Sequence, residues 1–263
     1  MSPTHSPLTD TVAIVTGASQ GIGRELAVAF AEAGASVGVA ARGDGIYETE
    51  KRIDDANKTI PVETDVTDES AVRNTVKRVA ERFGGIDCLI NNAGIAGPTA
   101  PIEDIEKEEW ERTMDVNLTG MFLMLKHAGP YLRESDRGSV VNISSISGKR
   151  PLAYRTPYTA SKMAVIGLTR TAAAEFADDD VTVNAICPGP VSGPRIDDVI
   201  KNQADRLGTD YDEAKQVTFT DDAILGTLVD ARDVADLAVY LASEKGTSVT
   251  AQDINVDAGT TWY

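Results

Sequence analysis

A chain of 263 residues in which 42% are hydrophobic holds enough apolar material for one large core or two small ones, and too much for general disorder. Its 41 acidic against 25 basic residues give a net charge of −16, which argues against nucleic-acid backbones and anionic membrane surfaces as partners. No apolar run approaches the ~20 residues that span a bilayer. The two histidines, His5 and His127, and two isolated cysteines, Cys88 and Cys187, form no cluster for a metal or a Ser-His-Asp triad.

The first ten residues are polar, carry Pro3 and Pro7, and contain no apolar signal segment, so they predict a loose tail over 1–10 and a cytoplasmic protein. From residue 11 onward, short apolar runs alternate with segments of helical period, the pattern of βα units around a parallel sheet. A strand over 12–15 leads into Thr16-Gly17-Ala18-Ser19-Gln20-Gly21-Ile22-Gly23 and a helix over 24–33. Glycines at such a handover let the backbone approach a pyrophosphate, and the helix N-terminus supplies N–H groups and positive dipole. The spacing Gly-x-x-x-Gly-x-Gly differs from Gly-x-Gly-x-x-Gly, yet strand, glycine turn and helix in that order indicate nucleotide binding.

Gly34 stops the first helix, and a strand over 36–41 ends at Arg42 with no carboxylate before it. An acidic residue at this place binds the ribose hydroxyls of NAD, whereas an arginine accommodates the 2′-phosphate of NADP, so NADP is favoured over NAD. A polar helix over 46–56 and a strand over 60–63 reach Asp65-Val66-Thr67-Asp68, where either aspartate can cap the helix over 69–83. A strand over 86–90 ends at Asn91-Asn92-Ala93-Gly94, and a long helix over 107–133 precedes a strand over 139–143.

The helix over 157–176 carries Tyr158 and, four residues on, Lys162, with Ser145 thirteen positions before the tyrosine. A free phenol has a pKa of ~10 and is a poor acid or base near neutrality. A lysine at i+4 shares its helix face and favours the phenolate, and a serine hydroxyl can hold a carbonyl oxygen while a proton moves. A strand over 181–186 breaks at Cys187-Pro188-Gly189-Pro190. Residues 191–228 show weak helical periodicity and several charges, and predict a mobile insertion. A helix over 231–242 and a strand over 253–256 follow. With no linker and no short repeat, the expected fold is α/β: a single doubly wound parallel β-sheet with helices on both faces, Rossmann-like, over 11–263.

The glycine turn, Asn91 to Gly94, Asn117 in Met114-Asp115-Val116-Asn117, Ser145, Tyr158, Lys162 and Pro188-Gly189 stand in the order and spacing of one family. Over about residues 10–259 the chain resembles a classical short-chain dehydrogenase/reductase. That resemblance implies hydride transfer between a carbonyl and a secondary alcohol, with Tyr158 as acid/base. Lys162 would tune it and bind the nicotinamide ribose, Ser145 would orient the substrate oxygen, and Asn117 would hold a relay water. Cofactor contacts would come from Gly17, Ser19, Gln20, Gly21, Ile22 and Gly23, from Arg42, and from Asp65 and Val66 at the adenine. Asn91, Ala93 and Gly94 would pass along the ribose and pyrophosphate; Tyr158, Lys162, Pro188, Gly189 and Val191 would line the nicotinamide.

Two positions depart from the family pattern. Gly193 stands where many relatives place a threonine over the phosphates, and Gln20 stands where NADP users often carry a basic residue. The resemblance favours a 3-oxoacyl thioester reductase, with a sugar or polyol dehydrogenase as the alternative; a non-catalytic nucleotide sensor would not need Ser145, Tyr158 and Lys162 together. The substrate is expected between 95–102, 149–155 and the insertion after Val191, where Arg150, Arg155 and Arg195 can meet an anionic or polyhydroxylated molecule. The helices from Lys107 and around Tyr158 resemble those between subunits of family homotetramers, and Ala164, Gly167 and the alanines at 172–174 permit close approach. Finally, Asp outnumbers Glu and Arg outnumbers Lys, which we read as a source living in high salt, where counter-ions screen self-repulsion.

Overall fold

The apolar runs of the sequence become seven parallel strands in the order β3-β2-β1-β4-β5-β6-β7 in a computed structural model of the chain. It describes residues 6–262, apart from the side chains at 194, 195 and 206. In chain order the elements are β1 (Val12–Thr16), α1 (Gly21–Glu32), β2 (Ser36–Ala41), α2 (Gly45–Ile53), β3 (Thr59–Glu63), α3 (Glu69–Phe83), β4 (Cys88–Asn91), α4 (Lys107–Met114) and α5 (Gly120–Glu134). They continue with β5 (Ser139–Ile143), α6 (Thr156–Glu175), β6 (Thr182–Pro188), α7 (Pro194–Leu207), α8 (Tyr211–Lys215), α9 (Ala231–Ala242) and β7 (Asp253–Val256).

Strands β1, β4, β5 and β6 are buried along their whole length, as expected of a parallel sheet covered on both faces. The strand pleat sorts their side chains. Ala13 and Val15 join Leu26, Phe30 and Leu241 in the layer under α1 and α9, whereas Val12 and Ile14 join Val79, Met124 and Phe176 under α3, α5 and α6. The strand order reverses between β1 and β4, and at that switch point the strand ends leave a crevice. Both the glycine turn after β1 and the asparagine run after β4 emerge there.

Several expectations need correction. The expected helix over 46–56 ends at Ile53, because Asp54 takes a left-handed conformation with φ 53°. Strand β4 begins at Cys88, two residues late. Strand β6 runs through Cys187 and Pro188, with Pro188 opposite Val256, so the break starts at Gly189. Pro188 brings no N–H to the ladder, and the next residue resumes it, Gly189 N donating to Val256 O at 2.9 Å. The expected helix over 107–133 is interrupted at Asp115–Thr119 by a π turn. The insertion over 191–228 carries the helices α7 and α8, which share a small cluster of Ile200, Ala204 and Ala214. Ile196, Ile200 and Ala204 recur every four residues, but too few apolar residues stand among the charges for the period to be plain.

The loose tail expected over 1–10 is docked in its described part. Leu8 is buried and its N–H donates to Ala33 O at 2.9 Å; His5 lies outside the described residues. Among the described residues no helix is long and apolar enough to cross a membrane.

Candidate active site

The turn after β1 is built by hydrogen bonds from the end of β4. Thr16 Oγ1 accepts from Asn92 N at 3.0 Å and Ala93 N at 3.1 Å, and Asn92 Nδ2 donates back to Thr16 O at 2.9 Å. Gly17 holds φ at +65°, and a Cβ on Gly23 would stand 2.2 Å from Gly17 O, so the strand end and the first helical turn meet where no side chain fits. From behind, the Arg24 guanidinium donates to Ser19 O and Thr49 Oγ1 donates to Ala18 O at 2.6 Å.

The outer side of this turn is open. Gln20, at the N-cap of α1, offers no side-chain hydrogen bond, the first turn holds no acidic residue, and a Cβ on Gly21 would meet nothing within 4 Å. Exposed N–H groups at an uncapped helix N-terminus suit a pyrophosphate. Farther along, Arg42 stands 3.7 Å from Asp65, with both side chains substantially exposed. Asp65 is partly buried, which opposes ionisation, but hydrogen bonds from Thr67 and the Arg42 charge outweigh this and hold its carboxyl below the usual range. Asp68 is the helix cap, accepting from Ser70 N at 2.8 Å, which leaves Asp65 outside α3. Val66 packs onto Gly120, so an adenine would meet its main chain rather than its side chain.

Two of the expected residues lie beneath the crevice rather than on it. Asn91 is fully buried and donates to Asn142 Oδ1 at 2.9 Å. Asn117 sits in the π turn. Its Oδ1 accepts from Ile95 N at 2.7 Å, and its Nδ2 donates to Ile95 O and Ser161 Oγ, each at 3.0 Å. The π turn widens the helix by one residue and swings this amide between the 95 loop and α6. Sequence reasoning passed over Asn92, Arg24 and Thr49. The signal for Asn92 was strand alternation: next to a buried Asn91, its neighbour must face the glycine turn.

Ser145, Tyr158 and Lys162 come together in a cavity of about 230 Å³, beside Gly94, Pro188, Gly189, Val191 and Ile22. Lys162 is buried; its Nζ donates to Ile143 O at 2.8 Å and lies 5.8 Å from the Tyr158 ring centroid. Ser144 turns away and donates to Lys162 O at 2.8 Å, while Ser145 Oγ accepts from Ser147 N at 3.1 Å and keeps its own hydrogen for another oxygen. Behind them, burial pushes the Cys187 thiol up, and it is inert packing.

The cavity is walled by the segments in which the substrate is expected. Ala96 comes from 95–102; Arg150, Leu152, Ala153 and Arg155 come from 149–155; Ile196, Val199, Gln203, Thr218 and Phe219 come from the insertion. The Arg195 side chain lies outside the described residues. Gly193 holds φ at +137°, and a Cβ added to it would meet nothing within 4 Å, so no hydroxyl stands at that place.

Comparison with known proteins agrees with this geometry. A family model described as enoyl-(acyl carrier protein) reductase matches residues 17–261. The chain is 38% identical over 253 residues to galactitol 2-dehydrogenase of Agrobacterium fabrum, covering 96% of this chain and 98% of that one. It is 35% identical over 253 residues to cis-4-hydroxycyclohexanecarboxylate dehydrogenase of Sinomonas cyclohexanicum, covering 96% and 97%. A crystal structure of a variant actinorhodin polyketide ketoreductase with NADPH superposes with a TM-score of 0.89 at 35% identity, covering 96% of this chain and 98% of that one. With the seven-stranded parallel sheet and the Ser145–Tyr158–Lys162 cluster, these matches show that the chain belongs to the classical short-chain dehydrogenase/reductase family, NAD(P)-dependent oxidoreductases acting on CH–OH groups.

Proposed function

We propose that Tyr158 is the acid/base of this carbonyl–alcohol interconversion and that Ser145, Lys162 and Asn117 serve it. A bound nicotinamide dinucleotide supplies or accepts the hydride. In reduction the Tyr158 hydroxyl gives its proton to the carbonyl oxygen as that oxygen gains charge, and in oxidation the phenolate takes the alcohol proton. The Ser145 hydroxyl donates to the same oxygen. Lys162 stands beside the tyrosine, its Nζ 5.8 Å from the Tyr158 ring centroid, and would bind the nicotinamide ribose. Asn117 holds the 95 loop against Ser161 and so fixes the turn of α6 that carries both groups; both amide N–H groups are taken, so a relay water would meet its remaining Oδ1 lone pair or its main chain.

The observation that carries this reading is the convergence of Ser145, Tyr158 and Lys162 in one cavity beside the uncapped N-terminus of α1. Its test is Tyr158→Phe, followed by absorbance of the reduced nicotinamide and by cofactor titration. Turnover should fall by about 10²–10⁴-fold with cofactor affinity retained; unchanged turnover would refute the assignment.

Gly17, Ser19, Gln20, Gly21, Ile22 and Gly23 would hold the pyrophosphate of the dinucleotide, with Asn91, Ala93 and Gly94 beside it. Asp65, Val66 and Arg42 would meet its adenine end, and Tyr158, Lys162, Pro188, Gly189 and Val191 its nicotinamide end. NADP is favoured over NAD because the Arg42–Asp65 pair is exposed and loose at 3.7 Å. Such pairs contribute little, so a 2′-phosphate can take the guanidinium over. The relatives act, by name, on a polyol, a hydroxycycloalkane carboxylate and a polyketide, which supports the reaction without selecting a substrate. We also place the enzyme in the cytoplasm, where two buried free thiols are at home, and as a homotetramer through α5 and α6.

A further inference from the structure

One side chain ties the glycine turn to the stretch of chain that carries Arg42. Arg24 is half-buried in the first turn of α1. Its Nη2 donates to Ser19 O and, at 3.5 Å, to the carbonyl of Gly45, the first residue of α2; its Nε donates to Thr49 Oγ1 at 3.1 Å. Thr49 is fully buried and passes the tie on, its own hydroxyl donating to Ala18 O at 2.6 Å. Ala18 N in turn donates to Ala40 O at 3.2 Å, near the end of β2. Helix α2 has no slack here, since a Cβ on Gly45 would stand 2.8 Å from Ser19 Cβ and 2.9 Å from Ser19 O. The glycine turn thus touches the chain on both sides of Arg42, at Ala40 and at Gly45. In a trans peptide the C=O and the following N–H point in opposite directions. Holding the carbonyls of Ala18 and Ser19 on one side therefore aims the N–H groups of Ser19 and Gln20 at the other. Among the described residues neither N–H has a partner, and successive main-chain N–H groups of this kind receive anions.

We propose that Arg24 is a positioning residue for the cofactor's 2′-phosphate. By fixing the glycine turn against α2, it holds the Ser19 and Gln20 N–H groups at a set place relative to Arg42, and so sets the preference for NADPH over NADH. This rests on the NADP reading above and adds the residue that enforces it. A planar guanidinium suits the task, because its fork keeps several acceptors in fixed directions, whereas an ammonium is a point charge on a flexible stem. The rest of the turn depends on Arg24 less. Gly17 and Gly23 are held by their own close approach and by the bonds between Thr16 and Asn92.

The test compares binding within two matched pairs. NADPH and NADH are followed by the fluorescence of the reduced nicotinamide. Adenosine 2′,5′-bisphosphate and adenosine 5′-monophosphate, which differ only in the 2′-phosphate, are followed by calorimetry. The wild type should bind the 2′-phosphorylated member of each pair more tightly. Arg24→Met should lower that preference about tenfold in both pairs, with NADH binding retained as proof of a folded site. Thr49→Val should lower it in the same direction. Arg24→Lys should restore part of what Arg24→Met loses, which general destabilisation would not. Equal weakening of NADPH and NADH in Arg24→Met, or an unchanged preference, overturns the proposal while the NADP reading stands. A drop seen with the dinucleotides but not with the fragments also overturns it, since Arg24 would then act at the nicotinamide end. A wild-type preference for NADH overturns the NADP reading itself, and the proposal with it.

Discussion

At the scale of single residues, the glycine turn separates two costs that the sequence presents alike. Gly21 and Gly23 both belong to Gly-x-x-x-Gly-x-Gly, but only Gly23 faces backbone. Its Cβ would lie 2.2 Å from Gly17 O and 2.4 Å from Asn92 Nδ2, so alanine there must push the strand end away from α1. Gly21 faces open space, and its φ of +55° costs an alanine only about 1–2 kcal/mol of conformational strain. We therefore expect Gly23→Ala to abolish NADPH binding, followed by the fluorescence of the reduced nicotinamide, and Gly21→Ala to weaken it far less. Equal losses in the two variants would mean that the close approach of Gly23 to Gly17 is not what shapes the site. Residue chemistry was the most legible part of this chain. Ser145, Tyr158 and Lys162 were readable because each needs a particular functional group at fixed spacing. The division of labour between Asn91 and Asn92 was not, because it depends on which way the last residue of β4 points.

At the scale of elements, the strands were legible wherever they were wholly apolar, and their ends were not, because pairing decides where a strand stops. Proline and cysteine at the end of β6 read as a break, yet the register with β7 carries them along. The insertion misled for the opposite reason: its helices bury one narrow face of Ile200, Ala204 and Ala214 and leave the rest charged. Element ends also carry a tie that spacing cannot reveal. Asp253 opens β7 and accepts from Lys149, which follows the Ser145 turn, at 2.8 Å and from Arg170 of α6 at 2.6 Å. Its partial burial opposes ionisation, but the bonds from Lys149 and Arg170 prevail and hold its pKa below the ordinary value. A folded-state pKa below the unfolded one gives stability that is present above the unfolded pKa of ~3.9 and is lost as pH falls through the folded value. Asp253→Asn should thus lower the thermal midpoint by roughly 5 °C at neutral pH, from about 2 kcal/mol of charge-assisted bonding. The difference from the wild type should shrink below about pH 4. A gap that stays constant down to acid pH would show that packing, not charge, is what the aspartate contributes.

At the scale of the whole molecule, charge and assembly are one problem. Helices α5 and α6 leave Phe122 49% and Met163 53% exposed, and Gly167, one turn beyond Met163, has nothing within 4 Å of its Cβ direction. Of the small residues expected at a subunit contact, Ala172 and Ala173 instead pack into the core beside Phe176, whereas Gly167 and Ala174 are exposed and Ala164 is half-buried, so these three, with Met163, are what α6 could offer to such a contact. Subunits meeting there would each bring a net charge of −16, and that repulsion opposes association as well as the compact state of each chain. The surface ion pairs do not offset it, since exposed pairs contribute about 0–1 kcal/mol each and are themselves screened by salt. Raising ionic strength from about 0.1 M to about 1 M shortens the screening length from about 10 Å to about 3 Å and removes most of the repulsion. We therefore expect both the thermal midpoint and the mass measured by light scattering to rise with potassium chloride, the mass levelling at four chains. Met163→Glu should hold the mass below that level at every salt concentration while the midpoint still climbs, because the repulsion within each chain is screened regardless of assembly. A midpoint that peaks at low ionic strength would overturn the high-salt reading of the composition; a Met163→Glu tetramer would move the subunit contact off α6.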